Sequence, residues 1–273
     1  GGGLASLPVP ARATCTNMGA ELGVTTSVFP SDEQTRAFLD AQGRGEQFEP
    51  MAADADASYD RITKRLHAQD DADRIAAICA CSEGTSVSAA DGEGFVEVSF
   101  DHLVIDLATL EPMAAESPSP DNIHTVASLV GTPVSQVLIG SCTNSSFQDL
   151  MCVAQSLKGR TVHPDVELGI APGSRQVLGM LAANGALEQL VAAGARILES
   201  GCGPCIGQGF SPAEGTVSLR TFNRNFAARS GTKGDHVFLV SPETAIAAAL
   251  TGTLTDPRTL EMPHPNIEVL VGN

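Results

Sequence analysis

The stretch Val134–Ser146 reads VSQVLIGSCTNSS: six strand-like residues, Val134–Ile139, run straight into a loop of small and polar residues that holds a cysteine. A short apolar run, rich in β-branched residues and closed by glycine, fits a buried strand better than a helix. The pattern repeats outward. Val166–Ile170 precedes APGS at 171–174, Ala195–Leu198 precedes GCGPCIG at 201–207, Thr216–Leu219 precedes NRNFAAR at 223–229, and Val237–Val240 is a fifth such run. Most are followed by helical patterns, at Ser145–Leu157, Ser174–Asn184 and Pro242–Leu250, with Leu187–Gly194 before the third run. Strands alternating with helices at this spacing predict a mostly parallel sheet in a layered α/β domain. Ligands of such sheets bind at the carboxyl ends of the strands, and here every chemically loaded loop falls on that one edge.

Upstream the pattern is less regular. Ser31–Ala41 and Asp56–Leu66 read as helices, Phe95–Phe100 (FVEVSF) and His102–Leu107 as strands, and 79–94 has no clear periodicity. The segment 111–122 (EPMAAESPSPDN) carries three prolines and little apolar content, so it reads as a linker. The expectation is an α/β fold of two three-layer domains with mostly parallel sheets, divided as 1–116 and 117–273.

The chain has 273 residues, 42% of them apolar, enough to bury a sizeable core and to exclude wholesale disorder. No apolar run approaches the ~20 residues that a membrane helix needs. The start, Gly1-Gly2-Gly3-Leu4, has neither Met nor an export signal and reads as an internal cut in a longer, cytoplasmic protein. Sixteen basic against 32 acidic residues give a net charge of −16, which repels nucleic acid and anionic membranes. Residues 31–120 alone hold 19 acids and 6 bases. The exception is Gly215–Gly234, which has no acid but carries Arg220, Arg224, Arg229 and Lys233. Such a stretch either pairs with the acidic module or grips a small polyanion, since Arg forks bind carboxylates bidentately.

Seven cysteines, an odd number without an export signal, argue against a disulfide framework. Cys152 falls in a helical pattern and reads as core, and Cys79 and Cys81 as incidental. Cys202 and Cys205 have thioredoxin-like spacing, but the chain has no Trp, and glycines follow at Gly207 and Gly209 where a long helix should run. Cys142 lies in the loop after a neighbouring strand and can reach them. Three thiolates suit an iron–sulfur cluster or an open zinc site, with redox or structural roles as further alternatives.

At these residues the chain resembles the aconitase superfamily. GSCTNSS at 140–146, GCGPCIGQ at 201–208, NRNFAAR at 223–229, TNMGAELGVTTSVFP at 16–30 and HVFLVSPETAIAAALTG at 236–252 carry the likeness, while nothing between His67 and Phe95 matches. The GCGPCIG form resembles aconitase more than isopropylmalate isomerase. The resemblance implies a [4Fe-4S] cluster held by Cys142, Cys202 and Cys205, a small tricarboxylate substrate held by Arg224 and Arg229, and Asn17, Glu21 and Asn223 beside the cluster. It implies an aconitate hydratase, a hydro-lyase interconverting citrate and isocitrate through cis-aconitate. The alternatives are a homoaconitase, methylcitrate or isopropylmalate type, or a non-catalytic metal-binding module built on three cysteines. Family members are longer, with an N-terminal domain and a swivelling C-terminal domain that complete the acid–base machinery. The chain is therefore expected to be the central portion, inactive alone, with the missing domains of the same polypeptide as its partners. Some relatives bind RNA, which the charge of −16 argues against here.

Overall fold

The computed structural model describes residues 5–21, 23–57, 62–103 and 107–262. They divide into two compact units, one made of 1–50 with 111–273 and a smaller one, Met51–Leu110. This grouping differs from a division at 116/117. The proline-bearing segment that reads as a linker contributes strand β6 (Met113–Glu116) and leads into β7 (Ile123–Thr125). These pair as an antiparallel hairpin on the main sheet, an edge position that prolines tolerate.

The larger unit begins with α1 (Val9–Glu21) and α2 (Glu33–Ala41). Asp32 rather than Ser31 caps α2, accepting from the Gln34 amide at 3.1 Å. The buried Arg12 of α1 donates to both Asp32 carboxylate oxygens, at 2.9 and 2.8 Å, and to the Pro30 carbonyl, fastening the two helices together.

In the smaller unit β1 (Ile62–His67), α3 (Ala72–Ala80), β2 (Ser82–Glu83), β3 (Ser86–Val87), β4 (Phe95–Phe100) and β5 (His102–Leu103) follow in order. Every described pairing there is antiparallel, so the parallel pattern belongs to the larger unit. The helix expected over 56–66 is a strand from Ile62 onward, and 58–61 lie outside the described residues. Full-length pairing of β1 with the FVEVSF strand, and burial of Leu66 against Val96, Val98 and Phe100, override local helical preference. Of the strand expected over 102–107, only β5 is a strand; 104–106 lie outside the described residues, and Leu107–Thr109 form a 3-10 turn.

The remaining elements are α4 (Val126–Leu129), β8 (Gln136–Gly140), α5 (Phe147–Leu157), β9 (Glu167–Ala171), α6 (Arg175–Ala183), α7 (Ala186–Ala192), β10 (Arg196–Ile197), β11 (Val217–Arg220), β12 (His236–Leu239) and α8 (Pro242–Thr251). The sheet order is β10-β9-β8-β11-β12-β6-β7, with the first five strands parallel. Caps set the helix starts: Ser146 and Asp149 form a capping box on α5, and Ser174 and Ser241 cap α6 and α8. On one face Val137, Ile139, Ile170 and Leu219 pack with Leu150, Leu181, Leu190 and Ile246 from the helices. On the other, Leu138, Val237 and Leu239 are closed over by Phe210 and Phe222, which come from loops.

The chain leaves β8 toward β9 and β10 on one side and returns to β11 and β12 on the other. The β8/β11 boundary is thus the point where strand order reverses, where parallel sheets open a crevice beyond their carboxyl ends. The GSCTNSS and NRNFAAR loops flank that crevice.

Candidate functional site

The loop after β8 turns on backbone that ordinary residues avoid. Gly140 has φ +118, and a Cβ there would lie 1.9 Å from the Ala171 carbonyl oxygen, so only glycine fits. Ser141 and Asn144 follow at φ 73 and 54. Left-handed non-glycine residues cost energy and survive where their surroundings hold them. Here the Ser141 amide donates to Ala171 at 2.7 Å, the Asn144 side chain to the Thr221 carbonyl at 2.8 Å, and Thr14 to Asn144 at 3.1 Å. Cys142 is thereby exposed at the sheet edge.

Cys202 and Cys205 lie beyond β10, with Cys205 in the 3-10 turn Pro204–Ile206. Gly207 ends this turn at φ +80, where a Cβ would meet the Ser230 carbonyl oxygen at 2.0 Å. The two cysteine loops touch: Ser141 Oγ lies 2.9 Å from Cys205 Sγ. Burial pushes the Cys205 thiol up, and the Ser141 contact opposes it.

The helix α1 supplies a third wall. Thr14, Asn17 and Glu21 recur at spacings of three and four, hence on one helical face. Asn17 Nδ2 lies 3.9 Å from Cys142 Sγ, and Asn17 Oδ1 accepts from the Asn223 side chain. Glu21 pairs with Arg224, raising that guanidinium's pKa. A cavity of about 320 Å³ opens among Asn17, Ala20, Cys142, Cys202, Cys205, Phe222, Asn223, Arg224 and Arg229. Every residue expected at the site lines it except Glu21, which reaches it through Arg224. Arg229 Nε is buried with no hydrogen-bond partner among the described residues.

The remaining members of the cationic stretch diverge. Lys233 does not line the cavity. Arg220 is buried at 1% exposure, and desolvation lowers its pKa to about 10. Cys152 is partly buried in α5, its thiol pushed up to about 11 chiefly by desolvation, and Cys15, Cys79 and Cys81 are not among the cavity residues. Sequence reading overlooked Ser141, Asn144 and Thr221, which shape the cysteine loop. Arg220 stood out in the sequence only as a member of the cationic stretch, directly after an apolar strand pattern, with nothing to mark its burial.

The donor set can be weighed against a metal group. Among the described residues no three His, Cys, Asp or Glu side chains gather closely enough to hold a single metal ion, which is what a zinc site of three cysteines demands. A four-iron cube binds its thiolates at separate corners, so it asks for three free thiols around one concavity. Cys142, Cys202 and Cys205 form that arrangement, and they fit the cluster. No described helix is long and apolar enough to cross a membrane.

Residues 1–252 match the Aconitase family (aconitate hydratase). The chain is 34% identical over 255 residues to the 3-isopropylmalate dehydratase large subunit 2 of Archaeoglobus fulgidus, covering 93% of this chain and 51% of that protein. It is 36% identical over 260 residues to the probable methanogen homoaconitase large subunit of Methanosarcina mazei, covering 94% and 55%. It is 34% identical over 253 residues to the methanogen homoaconitase large subunit of Methanocaldococcus jannaschii, covering 92% and 52%. The chain thus spans about half the length of the curated relatives it matches. These names run against the expectation, drawn from GCGPCIG alone, of aconitase over isopropylmalate isomerase. They fit the homoaconitase and isopropylmalate alternatives better than the citrate–isocitrate reading, while the matching family model covers all of these types.

Proposed function

The chain belongs to the aconitase family, and from that premise we propose that it is the cluster-bearing part of a hydro-lyase of the isopropylmalate dehydratase or homoaconitase type. The observation that carries this reading is the meeting of three free thiols and an unpartnered Arg229 Nε at one cavity on the carboxyl edge of the sheet. Cys142, Cys202 and Cys205 would hold a [4Fe-4S] cluster, which when bound supplies a Lewis-acidic iron for a substrate hydroxyl.

The chain's own residues do the rest. Arg229 offers a free donor edge to a substrate carboxylate. Arg224, steadied by Glu21, gives the opposing cation. Asn17 and Asn223, joined to one another, fix the amide groups beside Cys142 so that they need not reorganise when a ligand enters. Phe222 closes one wall of the cavity.

Removing a proton beside a carboxylate needs a positioned base. No His, Asp or Glu is among the cavity residues, and Glu21 is engaged by Arg224. The base is therefore assigned to a complementary part. Because the relatives are named large subunits, the reading takes that part to be a separate, smaller chain; further domains of the same polypeptide are the other arrangement. The isolated chain would bind substrate with negligible turnover.

The test is anaerobic reconstitution with iron and sulfide, followed by titration with 2-isopropylmalate, homocitrate and citrate while the visible and EPR spectra of the cluster are recorded. A spectral change with 2-isopropylmalate or homocitrate at lower concentration than with citrate supports the reading. A change with citrate alone would restore the citrate–isocitrate assignment, and no change with any of them would overturn substrate binding at this cavity.

A further inference from the structure

Arg220 ends β11 on the sheet face opposite Leu219 and is almost wholly buried. Its hydrogen-bond acceptors are all neutral. Nε donates to Ser218 Oγ at 3.2 Å, Nη2 to Gln136 Oε1 at 3.3 Å and the Phe210 carbonyl at 3.4 Å, and Nη1 to the Pro204 carbonyl at 3.0 Å. A buried guanidinium is costly unless its donors are met, and an apolar residue of similar length would fill the space at less cost. Two of the acceptors, Gln136 and Ser218, belong to the sheet itself and hold the side chain in place. The other two, Pro204 and Phe210, bracket the segment that carries Cys205 and Gly207. The Pro204 carbonyl also accepts from the Gly207 amide at 3.1 Å, so a single oxygen joins the turn to the sheet.

We propose that Arg220 is a positioning residue for the Cys202–Cys205 loop: from beneath the sheet edge its guanidinium grips the Pro204 and Phe210 carbonyls together and so fixes the shape in which the loop presents Cys205 to the cavity. The planar fork matters because its separate donors reach two carbonyls at once, which a Lys ammonium cannot match. The claim rests on the reading that this loop holds the cluster, but the loop's geometry can be measured without one.

The test compares the full chain with Arg220→Lys and Arg220→Gln. Hydrogen–deuterium exchange is read first on the metal-free proteins. In both variants, exchange over 203–210 is expected to rise at least tenfold while amides of β8 and β9 keep their wild-type rates. In the unmodified chain, the Gly207 and Gln208 amides should exchange as slowly as those of β11. The proteins are then reconstituted with iron and sulfide, and a chelator is used to bleach the visible absorbance. Bleaching should be faster by about tenfold in both variants, the size typical of losing a group that orients a metal ligand, with Lys less affected than Gln. Unchanged loop exchange in a folded variant, or a uniform rise across the sheet, would reduce Arg220 to an ordinary core residue. If neither variant folds, fast exchange of Gly207 and Gln208 in the wild type overturns the proposal and slow exchange supports it. If the wild type takes up no cluster, the cluster reading fails while the exchange data still decide the role of Arg220.

Discussion

Glu21 and Arg224 form an ion pair across 203 residues of sequence, and the Glu21 side chain is only 7% exposed. The pair closes α1 onto the loop after β11, so the cavity wall is a tertiary contact and not a local turn. Five residues farther on, Arg229 has the opposite character, with its Nε buried and unpartnered among the described residues.

This contrast separates the two arginines experimentally. Arg229→Gln should weaken binding of a small carboxylic acid to the reconstituted chain by at least tenfold, since a hydrogen bond to a charged group is worth about 1.5–3 kcal/mol. Its melting temperature should barely move. Arg224→Gln should weaken binding and also cost about 1–3 kcal/mol of stability, because it strands the buried Glu21 carboxylate. Calorimetric titration with thermal melts of the two variants checks both outcomes. Equal loss of stability in both would refute the contrast.

Ala228 holds a left-handed backbone at φ 59 in the NRNFAAR loop. An L-residue there costs about 1–2 kcal/mol. Ala228→Gly relieves that strain but loosens the unfolded chain by about 0.4–1 kcal/mol. The expected net effect is stabilisation of up to about 1 kcal/mol, where an ordinary Ala→Gly change destabilises. Ala228→Val should lose stability. Denaturant midpoints of the three proteins report the order.

The Arg12 hydrogen bond, aided by its charge, holds the Asp32 carboxyl below its ordinary range. A lowered folded pKa stabilises above the unfolded value, about 3.9, and that stability is lost as pH falls through the folded value. Asp32→Asn keeps a good helix cap and removes the charge. Wild type should melt above Asp32→Asn at neutral pH, and the two curves should converge below about pH 4 as Asp32 protonates. A gap that persists at low pH would show that charge is not the cause.

The parallel half of the fold was legible because its strands are buried on two faces and read as unbroken apolar runs, VLIG in β8 and VFL in β12, each bounded by loop residues. The three cysteines and the Arg224 and Arg229 pair were legible for the same reason: parallel strands deliver their following loops to one edge. What failed was set by long-range pairing. The 62–66 run carries no strong period of its own and becomes a strand only against Phe95–Phe100. The helix α1 has no clean apolar stripe, since it buries Arg12, turns Asn17 toward the cavity and gives Glu21 to Arg224. The role of Arg220 depends on carbonyl oxygens 10 and 16 residues away, which no spacing rule marks.

Reconstitution of single-cysteine variants addresses the cluster assignment most directly. The unmodified chain and Cys152→Ser should each take up about four irons and four sulfides with a broad visible absorbance, whereas Cys142→Ser and Cys205→Ser should hold far less of both. A Cys142→Ser protein with full iron content and an unchanged spectrum would contradict the assignment of Cys142, Cys202 and Cys205 as the three ligands.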